Sequence, residues 1–194
     1  MKKATGFTLI ELVCVLVIIG VISVLAVPRF LNIQSDARNS TLKSVQGQIE
    51  SQISIIYTKL TLAGLDGRNS DRTDPVTGGG YYGFEPDYNP FKNICGGECY
   101  FIFGTPSASA TTLSSVMSGI GGPNDDIVFS GYHPNNWISE GVTGTHIVGT
   151  FSFKENVVIA QNPGHNKLKT DNCYIWYSGA REDRSYKIGI VPCR

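Results

Sequence analysis

The chain has 194 residues, enough for one modest domain once a hydrophobic N-terminus is set aside. Sixteen Lys and Arg balance sixteen Asp and Glu, so overall charge gives no case for nucleic acid or acidic lipid as a partner. The 22 glycines, most of them after residue 64, favour a loop-rich β domain over a helical bundle.

Residues 1–6 read MKKATG, with Lys2 and Lys3 and no acid. Residues 7–27, FTLIELVCVLVIIGVISVLAV, carry one charge, Glu11. As a helix this run is about 31 Å long, close to the hydrocarbon thickness of a bilayer. The two lysines should stay cytoplasmic and send the C-terminal bulk across the membrane. An ordinary secretory signal has a shorter apolar region followed by a small-x-small site. Here the cleavage junction belongs before the run, between Gly6 and Phe7. Cys14, inside the run, reads as a small apolar side chain.

Glu11 is the anomaly. A carboxylate in an apolar segment costs about 2.5–3.5 kcal/mol at mid-bilayer and less near an end. It can snorkel to the surface, or it can find a cation. Cutting after Gly6 frees the Phe7 α-amine, and in a staggered stack Glu11 of one copy could neutralise the amine of the next, fixing axial register.

GFTLIEL at Gly6–Leu12, after a short basic leader and before an apolar helix, resembles the class III signal of type IV pilins and of type II secretion pseudopilins. PRFLNIQSDAR at Pro28–Arg38 is similar to the mannose-sensitive haemagglutinin (MSHA) pilins of the type IVa kind. The resemblance implies that a membrane prepilin peptidase cuts after Gly6 and N-methylates Phe7, and that Glu11 is the assembly carboxylate. It further implies a homo-oligomeric helical filament, with an inner-membrane assembly platform and an ATPase as partners. The precursor would sit in the inner membrane and the mature subunit in an extracellular pilus of a Gram-negative bacterium.

Beyond the apolar run, Pro28 lacks an amide proton and clashes with the preceding turn, so a kink or a melted turn is expected there, with Gly20 a second weak point. Apolar residues follow at Phe30, Ile33 and Ala37. From Leu42 the steps through Val45, Ile49, Ile53, Ile56 and Leu60 are three or four residues, one helical stripe that should pack on a globular domain. Ser40, Lys43, Gln46, Glu50 and Lys59 hold the opposite face. Gly64 and Gly67 should end the helix. Residues 64–80 read as a loop. Its acids Asp66, Asp71 and Asp74 lack the ordered spacing of a calcium loop. Short β-like runs then recur at Tyr100–Phe103, Ile127–Phe129, Ile147–Phe153, Val157–Ala160, Cys173–Tyr177 and Tyr186–Val191. No long helical pattern interrupts the last four, so an antiparallel sheet is expected. The fold is therefore read as α+β: one long N-terminal helix, its first half transmembrane, packed on an antiparallel sheet. The segments are leader 1–6, membrane and assembly helix 7–27, amphipathic continuation 28–63 and globular head 64–194.

Cys95, Cys99, Cys173 and Cys193 form an even set beside an export-type N-terminus, which points to two disulfides and an oxidising compartment. A Cys173–Cys193 bridge would staple two predicted strands and their turn, at about 3 kcal/mol on the chain-entropy model, and resembles the disulfide-bonded C-terminal region of type IV pilins. Cys95 and Cys99, in CGGEC, would then pair locally, and the crossed pairings stay open. A metal site using these cysteines with His133, His146 or His165 lacks zinc-finger spacing; no metal or cofactor is expected.

No enzyme motif is present: no G-x-S-x-G, no P-loop, no H-E-x-x-H. Gly119, Gly121 and Gly122 read as a surface loop. Lys167, Lys169, Arg181, Arg184, Lys187 and Arg194 outnumber Asp171, Glu182 and Asp183 near the C-terminus. A solvated face is the plain account; contact with DNA or a host surface is the functional one. The expected function is a pilus subunit for adhesion, surface attachment, motility or DNA uptake. A type II secretion pseudopilin and a minor tip pilin binding DNA or carbohydrate are the alternatives, and a membrane-tethered enzyme or receptor is the different class.

Overall fold

A computed structural model describes residues 7–67, 90–95, 99–133, 148–180 and 185–194, without the side chains of 25–32 and 163. The expected leader with Gly6, most of the 64–80 loop with Asp71 and Asp74, His146, Ile147, and Arg181, Glu182, Asp183 and Arg184 lie outside the described residues. The chain divides into two compact units, Met1–Arg38 and Asn39–Arg194.

The first unit is the N-terminal part of helix α1, which runs from Leu9 to Leu62. The backbone is helical without interruption through Gly20 and Pro28. The melted turn expected at Pro28 is therefore absent in the single chain. Proline removes one donor from the ladder, and the turns on either side keep theirs. Among the described residues no helix is long and apolar enough to cross a membrane. The expected span 7–27 runs into residues 25–32, whose side chains are outside the description.

In the second unit the periodic stripe does what its spacing requires. Leu42, Val45, Ile49, Ile53, Ile56 and Leu60 are all buried, while Ser40, Lys43 and Lys59 are exposed and Gln46 and Glu50 half-buried. Leu62 closes the helix; Gly64 takes a positive φ of 67° and Leu65 N–H donates back to Leu60 O at 2.9 Å, the left-handed C-terminal cap that glycine accepts most readily.

Four strands form the main sheet: β3 (Ile127–His133), β4 (Val148–Phe153), β7 (Tyr174–Ser178) and β8 (Lys187–Val191), in the order β3-β4-β7-β8 and antiparallel throughout. Alternate residues face α1. Ile127, Phe129, Phe151, Ile175 and Tyr177 meet Leu42, Val45, Ile49 and Ile53 in one apolar cluster, with Phe129 edge-on to Phe151 at 5.8 Å. A second cluster joins Ile56, Leu60 and Leu65 to Phe91, Cys99 and Phe101. The fold class is α+β, a long N-terminal helix packed on an antiparallel sheet.

The smaller elements depart from expectation. β1 (Phe101–Ile102) pairs with β2 (Thr105–Pro106) across Phe103 and Gly104, both with positive φ. A bulky residue rarely takes that conformation, so the turn was unreadable from Phe103. α2 (Lys92–Cys95) and α3 (Ala110–Val116) lie where the sequence pattern pointed to no element. α3 is capped by Ser109, whose Oγ accepts from Thr112 N–H at 3.2 Å. The expected strand 157–160 shrinks to β5 (Val157–Val158), paired with an unexpected β6 (Lys167–Leu168). β3 is longer than expected because a bulge at Ser130 lets it continue. Gly131 there has φ 103°, and a Cβ on it would run into the Asn166 carbonyl.

The N-terminal segment of α1 as the candidate functional site

The first described residues carry the geometry of interest. Thr8 N–H and Thr8 Oγ both donate to Glu11 Oε2, at 2.9 and 2.8 Å, and Glu11 N–H donates back to Thr8 Oγ at 3.3 Å. Leu12 N–H completes the first turn on Thr8 O at 3.3 Å. This is a reciprocal capping box, T-x-x-E, in which the two side chains satisfy amides that the helix itself leaves without partners. The four letters TLIE spell this box in the sequence, but Thr8 is uncharged and does not stand out beside Glu11 without the helix start that aligns them. Both donors fall on Oε2. Among the described residues Oε1 accepts no hydrogen bond.

Around this polar knot the helix is apolar on every side. Phe7 is 86% exposed and Leu9 81%; Leu12 through Val24 follow with no buried face, and Cys14 is an exposed free thiol. A soluble helix keeps its apolar residues to one stripe. A helix apolar all round needs an apolar environment, whether lipid or other helices. Ser23 returns its hydroxyl to Ile19 O at 2.7 Å, so it adds no outward-facing donor. Among the described residues, nothing outside the adjoining helix backbone lies within 4 Å of where a Gly20 Cβ would stand.

The other residues singled out from the sequence sit in the second unit. Cys95 pairs with Cys99 and Cys173 with Cys193; the crossed connectivities are excluded. Cys173 takes a positive φ of 64° and is held by Ser152 Oγ, which donates to its carbonyl at 2.6 Å. Of the basic residues, Lys169 Nζ donates to Glu155 O at 2.7 Å. No group of three His, Cys, Asp or Glu converges on a metal-sized point among the described residues.

Residues 1–27 match the prokaryotic N-terminal methylation motif. The chain is 40% identical over 53 residues, 27% of its length, to the type IV narrow pilus major component PilA5 of Thermus thermophilus. It spans about half, 46%, of the length of that curated relative. No solved structure matches it. The methylation motif covers the capped, all-round apolar start of α1, the part of the chain in which the resemblance of the sequence to type IV pilins also lies.

Proposed function

We propose that this chain is the structural subunit of an MSHA-like type IV pilus, cut between Gly6 and Phe7, N-methylated at Phe7 and assembled through α1 into an extracellular filament. The observation that carries the reading is the rod itself: an apolar surface on all sides with one acid near its start. Such a surface rests in the bilayer before assembly and against identical rods afterwards. Glu11 supplies the specificity. Its Oε2 is occupied by Thr8, which fixes the carboxylate, and its Oε1 is left to accept the Phe7 amine of a neighbouring copy. That pairing removes the cost of the buried charge and sets the stagger between rods. Adhesion, surface attachment, motility or DNA uptake would follow from what the heads present outside the cell, and the role is structural, not catalytic.

The Cys173–Cys193 bridge supports the pilin over the pseudopilin alternative, since the resemblance to pilins includes a disulfide-bonded C-terminal region. The test is mass spectrometry of material sheared from cells that express the chain with an active secretion machinery. A mature chain beginning at N-methylated Phe7 is expected, together with filaments by electron microscopy. A Glu11→Ala strain should process the precursor and lose filaments. Wild-type cells that yield only the uncut chain, resident in the membrane, would refute the reading.

A further inference from the structure

The apolar stripe that joins α1 to the head is nearly indifferent to a slide along its own axis. Steps of 3, 4, 4, 3 and 4 separate its six residues. If α1 moves one turn toward its N-terminus, about 5.4 Å, Val45 takes the place of Leu42, Ile49 that of Val45, and so on to Leu60 in the place of Ile56. Every slot but the last is refilled by a Val, Ile or Leu, and Ala63 or Gly64 falls at the end. Leu65, packed in the second cluster, the Tyr57 ring seated against Gly104 and Lys59 over the Phe91 ring stand outside the repeat and oppose the shift. Burial alone therefore specifies which face of α1 meets the sheet far better than it specifies the height.

Two side-chain amides on α1 break that degeneracy. Asn39 brackets one peptide of the C-terminal tail: Cys193 N–H donates to Asn39 Oδ1 at 2.7 Å and Asn39 Nδ2 donates to Cys193 O at 3.3 Å. Gln52 brackets Ser118 in the same manner, with Ser118 N–H to Gln52 Oε1 at 2.7 Å and Gln52 Nε2 to Ser118 O at 3.3 Å. Each amide uses both its donor and its acceptor on one backbone residue, and only one axial position lets both do so together. We infer that Asn39 and Gln52 are register-setting residues, which fix the height of α1 on the head while the apolar stripe supplies the adhesion.

The direction of slip sharpens the assignment. A slide toward the C-terminus brings Gln48 to the place of Gln52, so that clamp could re-form, but it drives Arg38 or Asn39 into the buried slot of Leu42. The stripe itself forbids that movement. A slide toward the N-terminus is the one the stripe tolerates, and it sets Leu42 or Lys43 against the Cys193 peptide and Ile55 or Ile56 against Ser118. Both brackets are then lost: the exposed Ser118 groups turn to water, and the part-buried Cys193 N–H and C=O lose the Asn39 amide. The polar pair thus guards the one direction left open, as a single polar position fixes register in otherwise apolar helix pairs. The inference concerns the Asn39–Arg194 unit of the single chain and holds whether or not the chain polymerises.

The test uses the full chain in detergent with the native disulfides formed and Cys14→Ala. A reporter pair, Ile55→Cys with Ser118→Cys, comes together only when α1 has slid one turn toward its N-terminus. With Asn39 and Gln52 in place, oxidation should give little cross-link. With Asn39→Leu and Gln52→Leu, the cross-linked fraction should rise at least ten-fold. An unchanged fraction in a folded double variant overturns the inference. Should that variant fail to fold, Asn39→Asp with Gln52→Glu keeps shape and acceptor but sets a carboxylate against each carbonyl. Its slipped fraction should rise above the carboxylate pKa and fall below it, where a protonated carboxyl donates again. A slipped fraction that does not respond to pH also overturns the inference.

Discussion

Removing the Cys173–Cys193 bridge shows what a cross-link contributes to this head. The two cysteines are 20 residues apart, against 4 for Cys95–Cys99. The chain-entropy model assigns about 3 kcal/mol to the longer loop and about 2 kcal/mol to the shorter. The folded state should lose little else when the longer bridge goes. Cys193 N–H still donates to Asn39, Cys173 N–H still donates to Pro192 O at 3.3 Å, and Ser152 still holds the Cys173 carbonyl. A Cys173→Ala, Cys193→Ala variant should therefore keep its fold, lose about 3 kcal/mol and melt roughly 6–12 °C lower. Urea unfolding of the detergent-solubilised chain, followed by near-UV circular dichroism, measures the loss beside that of Cys95→Ala, Cys99→Ala. A loss below about 1 kcal/mol at unchanged denaturant slope would refute the reasoning, because the freed unfolded chain would then have gained no entropy. A larger loss from the shorter loop would refute it equally.

Three further outcomes follow from the same geometry. Thr8→Ala should weaken the start of α1 by about 0.5–2 kcal/mol and reduce filament yield, with Thr8→Ser restoring it; amide exchange at residues 9–12 reads the first effect and shearing assays the second. Gly131→Ala should cost at least about 3 kcal/mol, since it combines a strained positive φ with a collision on the Asn166 carbonyl that forces the β5–β6 region off β3, visible as a lower melting temperature. Burial pushes the phenols of Tyr177, Tyr174 and Tyr186 above their ordinary value of 10.0. The unfolded chain then sheds these protons first, so their contribution is fully present below about pH 10 and is lost above it, by up to about 1.4 kcal/mol per pH unit for the fully buried Tyr177. Tyr177→Phe removes the hydrogen bond to Pro106 O, 2.7 Å long. It should cost about 0.5–1.5 kcal/mol at neutral pH while making the alkaline decline shallower, as denaturant midpoints across pH 8–11.5 would record.

Reading the sequence succeeded where one local rule had no competitor. The stripe from Leu42 to Leu60 is helical because a period near 3.6 puts those six residues on one side, and all six are buried. The four strands of the main sheet were legible from β-branched and aromatic runs, to within a residue or two at most ends. Glu11 stood out because nothing else in residues 7–27 is charged. The misses have physical causes. Of the kink or melted turn expected at Pro28, the melted turn is absent, since a helix can lose one donor and continue. Phe103 in a positive-φ turn violates local preference and is tolerated because the β1–β2 hairpin around it is otherwise paired. β6 is two residues long and exists only because β5 lies beside it.

What the sequence alone determined is the chemistry of the first helix: an apolar rod with a single acid over residues 7–27, the N-terminal methylation motif and the polar-apolar division of the second half. Those are properties of neighbours along the chain, and periodicity and composition encode them directly. Tertiary structure alone excluded the crossed cysteine pairings and set where the part of α1 from Asn39 onward sits on the sheet. Both depend on contacts between residues far apart in the chain, such as Asn39 with Cys193, and no local pattern records which distant peptide an amide will meet.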